Sequence, residues 1–315
     1  MYQAIVFLPL VGFLIAGAIS LIGARARHPG GMMEGGHGHD AGHAPTVAGG
    51  AVIPQDHDED HGPQEPAAWG SRPAEVVTTS LLMVSAALSW VALFYVGYQG
   101  HDARVPLMTW IAAGDLKVEW ALRIDTMTAV MFVVVNSVSA LVHLYSIGYM
   151  NEDPYRPRFF AYLSLFTFAM LMLVTADNLV QMFFGWEGVG LASYLLIGFW
   201  YQKPEANAAA IKAFVVNRIG DFGFLLGIFA VFAMTGAVGF ETVFASAKSL
   251  VGQHIMLFGH AYDALTVICL LLFRGAMGKS AQFRLHTGLL DAMEGPTPVS
   301  ALTHAATMVT AGVFM

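Results

Sequence analysis

Residues 183–200 read FFGWEGVGLASYLLIGFW, an apolar run whose one charged side chain is Glu187. At about 1.5 Å per residue such a run covers most of the roughly 30 Å hydrocarbon layer of a bilayer. Three more runs share the pattern: FVVNRIGDFGFLLGIFAVFAM at 214–234, LLLFRGAMGKSAQF at 270–283 and PVSALTHAATMVTAGVFM at 298–315. They carry Asp221, Lys279 and His304. One ionised group at a bilayer centre costs on the order of 3 kcal/mol. A chain that accepts this cost helix after helix is expected to move protons or ions between those groups.

Composition agrees. Apolar residues make up 56% of the chain and charged residues only 12%, against about 25% charged in soluble domains. Only helices satisfy their backbone inside lipid by themselves, so the reading is an all-α, polytopic transmembrane bundle. The net charge of −7 resides largely in loops. Basic patches interleaved with aromatics are lacking, which excludes a nucleic-acid partner. The single cysteine, Cys269, reads as a buried, inert thiol, and with one cysteine no internal disulfide or CxxC metal site forms. The first apolar run has its basic residues after it rather than before it, unlike a cleavable signal peptide.

About eight spans are expected, near residues 2–23, 76–98, 125–148, 158–176, 178–200, 211–235, 262–283 and 297–315. The seventh, with Gly275, Gly278, Lys279, Ser280 and Gln282, reads as a broken helix lining a hydrated path. Four units follow: a first helix at 1–27, a loop at 28–75, two helices with an intervening hairpin at 76–150, and a translocating unit at 151–315. The loop is rich in Gly, Pro, His and acids, and is expected to be disordered. His37, His39, His43, His57 and His61 match no closed metal-site spacing. The connection HDARVPLMTWIAAGDLKVEWALRID alternates enough for a β-hairpin. Arg25, Arg27, Arg72, Arg156, Arg158, Lys203 and Lys212 enrich alternate connections, which places those on the cytoplasmic side and the amino terminus outside.

Among the ionisable groups, Glu187 has glycines on both sides, which permit close helix approach, so its charge can be switched by a partner's movement. Lys279 is the ammonium expected to meet it. The pair reads either as a proton-transfer couple or as a structural ion pair. His304 titrates near neutrality and suits a relay, or a core histidine bonded to a carbonyl. Asp221 follows Arg218 by three residues, so a local salt bridge competes with a functional role. His286 stands between relay and plain loop residue. His143 and Asp177 read as helix-terminal groups.

The stretches GWEGVGLASYLLIGFW, NAAAIKAFVVNRIGDFGFLLGI, GAMGKSAQF and DAMEGPTPVSALTHAATMVTAGVFM resemble the antiporter-like L subunit family of bacterial NADH:quinone oxidoreductase, respiratory complex I, whose mitochondrial counterpart is chain 5. The resemblance is dense from about residue 115 to the end and most specific over residues 177–315. It implies an antiporter-like fold and a proton-translocating subunit of the bacterial inner membrane, with no cofactor in this chain. NADH, FMN, iron–sulfur clusters and quinone would bind elsewhere in the complex, and the partners would be its other membrane subunits, above all the neighbouring antiporter-like one. It also implies that Glu187 pairs with Lys279, that His304 conducts onward, and that Asp221 modulates. The runner-up is the large subunit of a multisubunit Na⁺/H⁺ antiporter. Arg274, Arg284, Gly288, Leu290 and Thr303 depart from the family pattern, and Arg274 would add a cation near Lys279. The last run is still apolar at Met315, where the family continues into a second, inverted repeat. The chain is therefore expected to hold the first repeat only, truncated at its carboxyl end. Alone it should move no protons; proteoliposomes carrying it should fail to acidify under an imposed gradient.

Overall fold

The computed structural model describes residues 1–27, 71–114, 116–257, 259–282, 285–288, 292–306 and 308–315. The loop expected at 28–75 lies outside these residues up to position 70. Helices dominate: α1 (Tyr2–Arg27), α2 (Ser71–Leu93, prolonged by a π-helical turn Phe94–Tyr98), α3 (Thr126–Tyr149), α4 (Arg156–Val174), α5 (Leu179–Ile197), α6 (Pro204–Thr235), the short α7 (Phe240–Ser246) and α8 (Ala264–Lys279). Among the described residues six helices, α1 to α6, are long and apolar enough to cross a membrane. The remaining two expected spans differ. Helix α8 has 16 residues, about 24 Å, short of a bilayer core. The last run divides into a turn Thr297–Ser300, a π-helical segment Ala301–Ala306 and a helix Met308–Phe314.

Local chemistry sets the ends. Asp125, Asn178 and Asp263 each cap a helix by accepting a backbone N–H, from Thr128, Gln181 and Thr266 respectively. Pro204 opens α6 seven residues before the expected boundary at 211, followed by Glu205 in the first turn. Gly236, at φ 69°, closes that helix in the left-handed region. In α1, Pro9 donates no hydrogen bond, which leaves the carbonyl of Ile5 without its helical partner. Ser85 of α2 donates to it at 2.8 Å.

Helix α4 is the centre of the bundle. It is apolar on every side and packs against α1, α2, α3 and α5. Helix α2 begins at Ser71, earlier than expected, because Glu75 is neutralised: Arg156 at the start of α4 donates to it at 3.0 Å, and both are buried. Arg156 is thus part of the interior rather than a loop charge. His143 is not helix-terminal either. It is fully buried in α3, its Nδ1 2.8 Å from the Ser139 carbonyl and its Nε2 3.2 Å from the Ser164 hydroxyl. Asn136, Ser139 and Ser146 are buried along the same helix, so hydroxyl and amide groups join α2, α3 and α4.

Strands β1 (Ala103–Ala113) and β2 (Leu116–Ile124) form the expected antiparallel hairpin, with Ala103 opposite Ile124. It docks on the α4–α5 connection: Arg123 N–H donates to Thr175, and Asn178 donates to Glu119 O. Arg104 holds Asp177 at 2.6 Å and Glu119 at 3.2 Å. The hydrogen bond to Asp177 raises the Arg104 pKa above its ordinary value. A second, unexpected hairpin, β3 (His254–Leu257) with β4 (His260–Asp263), precedes α8.

In α8 the expected break within Gly275–Gln282 falls at its end rather than at the glycines. The helix is continuous to Lys279 and stops there, and Ala281 follows at φ 48°. Its glycines serve packing instead: Gly278 meets Gly220 of α6 so closely that a Cβ would lie 3.2 Å from the Gly220 Cα. Cys269 is exposed, not buried, because α8 turns Ile268, Gly275 and Ala276 inward and presents its other side outward.

Removing one partner of the Glu75–Arg156 pair strands a buried charge. Glu75→Ala should destabilise the chain by about 3–5 kcal/mol. Thermal unfolding in detergent should show this loss, and replacing both residues by apolar ones should recover most of it.

Candidate functional site

Helices α5, α6 and α8 meet around four charged side chains. Glu187 and Lys279, expected as partners, are not in direct contact. Arg218 of α6 donates to Glu187 of α5, and the pair sits at a half-exposed edge. Lys279, at the end of α8, has its Nζ 3.9 Å from Asp221 Oδ2, and both side chains are almost wholly buried. The local Arg218–Asp221 bridge considered from sequence does not form: the two residues turn to different partners. Trp186 Nε1 donates to Asp221 Oδ1 at 2.7 Å and so fixes the carboxylate from the α5 side.

Neither pair is closed. Glu187 Oε1 and Lys279 Nζ, both buried atoms, make no hydrogen bond to any described group. Two unit charges about 4 Å apart attract by about 4 kcal/mol at an effective dielectric of 20. Desolvating each ion costs several kcal/mol. The Lys279–Asp221 pair is therefore a poor device for stability and a good one for exchange: the ammonium is held by attraction without being tied by a hydrogen bond.

Small residues make room for it. A Cβ on Gly190 would lie 2.6 Å from Lys279 Nζ. Lys279 also borders a cavity of about 20 Å³, lined by Ser193, Asn217, Gly278 and Thr303 among others, enough for one water among polar partners. Thr303, in the π-helical segment, donates to the Val299 carbonyl of the preceding turn. That segment also carries His304, whose side chain lies outside the described residues. π-Helical turns recur at functional sites because they interrupt the regular ladder. His286 is exposed in the turn after α8 and does not line the cavity. Arg274 is exposed, its stem packed over Gly223, so the cation that faces the site is Arg218. Gly288 packs on Ala213 and Val216. Arg284 and Leu290 lie outside the described residues.

Sequence reasoning missed Arg218 as the partner of Glu187, and also Trp186 and Gly190. The signal for the first was present: Arg218 and Asp221 share a helix face three residues apart, and each needs a counter-charge from a neighbouring helix.

Acidic and basic groups beside a small polar-lined cavity, on helices of an apolar bundle, define an antiporter-like membrane domain. Residues 176–315 match the family described as NADH:quinone oxidoreductase/Mrp antiporter, TM, and residues 110–160 match the complex I chain 5 N-terminus. The chain belongs to the subunit L/chain 5 family of NADH:quinone oxidoreductase. It is 59% identical over 249 residues to NADH-quinone oxidoreductase subunit L of Rhodobacter capsulatus, covering 77% of this chain and 35% of that protein. It is 53% identical over 248 residues to NADH-ubiquinone oxidoreductase chain 5 of Marchantia polymorpha, covering 78% of this chain and 37% of that one. The chain thus spans little more than a third of these relatives. Among solved structures it is similar to a chain of the Mrp complex from Dietzia sp. DQ12-45-1b, with TM-score 0.64, 28% identity, and 78% of this chain and 26% of that one covered. It shares its fold with a chain of the archaeal membrane-bound sulfane sulfur reductase, with TM-score 0.68 at 17% identity, covering 100% of this chain and 52% of that one.

Trp186→Phe keeps the ring packing and removes the donor to Asp221. A buried acceptor left unsatisfied costs about 1–3 kcal/mol, so the midpoint of denaturant unfolding in detergent should fall accordingly.

Proposed function

We propose that this chain is part of a proton-translocating membrane subunit of NADH:quinone oxidoreductase. Redox chemistry elsewhere in the complex, at NADH, FMN, iron–sulfur clusters and quinone, would drive it. The observation that carries the reading is the paired arrangement Glu187–Arg218 and Asp221–Lys279 at one interface, with an ammonium that makes no hydrogen bond among the described residues. Residues 151–315 form the first antiporter-like unit. Its setting is the bacterial inner membrane, with the amino terminus outside and other membrane subunits as partners, the neighbouring antiporter-like one among them.

In the mechanism, Arg218 and Lys279 compete for Glu187. In the state described, Arg218 occupies Glu187 and the ammonium rests beside Asp221. A charge or conformational signal from the neighbour draws Arg218 away. Glu187 then attracts Lys279, whose protonated form it stabilises. When Arg218 returns, Lys279 is back beside Asp221, which holds it more weakly, and from there gives up its proton to the cavity. The π-helical segment with His304 takes it onward from the cavity. The neutral amine takes up the next proton from the other side of the membrane when Arg218 again leaves Glu187. His286, at the exposed turn, is proposed as a relay nearer the surface.

The Mrp-like fold favours a second reading, the large subunit of a Na⁺/H⁺ antiporter. Relatives at 53–59% identity carry the complex I names, against 28% for the Mrp chain, so the first reading is preferred. Copurification with NADH dehydrogenase activity separates them. In the intact complex, Lys279→Met should abolish proton transfer through this subunit; unchanged pumping per NADH would remove Lys279 from the path.

A further inference from the structure

Gly190 stands in the middle of α5, three residues after Glu187 and hence on the same helix face. Glycine weakens a helix interior relative to alanine, and nothing in the backbone of α5 requires it there: the helix is regular and continuous. What the position does require is space. A Cβ built on Gly190 would meet Lys279 Nζ at 2.6 Å and Lys279 Cε at 4.0 Å, and among the described residues beyond its own stretch of helix no other atom within 4 Å. The tight contact is thus with the ammonium nitrogen, the end of a flexible chain, and not with a packed backbone.

Gly185, one turn and a half earlier, is the contrast. A Cβ there would lie 2.5 Å from the Leu173 backbone nitrogen and 2.7 Å from its Cα, so that glycine sets the spacing of α4 and α5. Gly190 sets the position of a charge.

We propose that Gly190 is a positioning residue: its bare backbone is the seat that keeps the Lys279 ammonium against α5, within a side-chain swing of Glu187. Any side chain there displaces the ammonium from this seat and changes its approach both to Glu187 and to Asp221, the latter 3.9 Å away on α6. Lys279 would remain buried and paired while losing the exchange on which translocation depends. This rests on the exchange mechanism proposed above, and the test is chosen to separate the two.

Gly190→Ala is placed in the complete subunit within the intact oxidoreductase, assayed in inverted membrane vesicles. Three quantities are read: the amount of assembled complex, NADH-driven proton uptake, and the pH profile of that uptake. Normal assembly is expected, with uptake several-fold lower and its pH profile displaced, because the environment of the ammonium has changed. Full uptake with an unchanged profile, while Lys279→Met is inactive, would reduce Gly190 to a packing glycine and leave the mechanism intact. Normal uptake by Lys279→Met would overturn the mechanism, and the seat with it. Should Gly190→Ala assemble poorly, the double variant Gly190→Ala/Lys279→Met removes the nitrogen that clashes. Recovered assembly would then support the seat, and a persistent defect would place the clash elsewhere and refute it.

Discussion

A charge inside an apolar bundle must be balanced within a few ångströms, and this one requirement orders the whole molecule. It is met twice, in different ways. Between α2 and α4, Glu75 and Arg156 form a hydrogen-bonded pair at 3.0 Å, with both partners enclosed. Between α5, α6 and α8, the balance is spread over four groups. One pair is in contact at the edge; the other stands 3.9 Å apart in the interior. The first arrangement locks two helix ends together. The second leaves a cation with somewhere to go.

The same requirement explains the neutral polar groups. Pro9 deprives Ile5 of a partner, and Ser85 supplies one. His143 finds the Ser139 carbonyl on its own helix and the Ser164 hydroxyl on the next. These contacts consolidate α1 to α4 into a fixed half, against which α5 packs through Gly185. The site then lies where that fixed half meets α6 and α8, so a movement of α6 alters the spacing of both ion pairs at once. Trp186 ties Asp221 to α5 across that boundary, which couples the carboxylate to the fixed half even as its own helix belongs to the other.

Much of this was legible in the chain. Runs of apolar residues set the helical class, and the alternation in residues 101–125 announced the β1–β2 hairpin. Isolated charges in apolar runs pointed to Glu187, Asp221 and Lys279. Pairing was less legible, since it depends on rotation about helix axes, and a helix face is shared by residues three and four apart. Arg218 and Asp221 lie on one face in sequence, yet a small difference in direction sends one to α5 and the other toward α8. The length of α8 was misjudged at its end: the span was expected to run to residue 283, but the helix stops at Lys279 and the backbone turns at Ala281. Cys269 was misplaced because an apolar neighbourhood in sequence does not say which side of a helix faces its own bundle.

That outward-facing thiol has a practical side. Cys269 is the chain's single cysteine and borders an apolar groove with Leu272, Phe273 and Met315. It sits ten residues before Lys279 on the same rigid helix, close to three turns away. A spin label or fluorophore attached there would report rotation or tilting of α8 as the ammonium changes company.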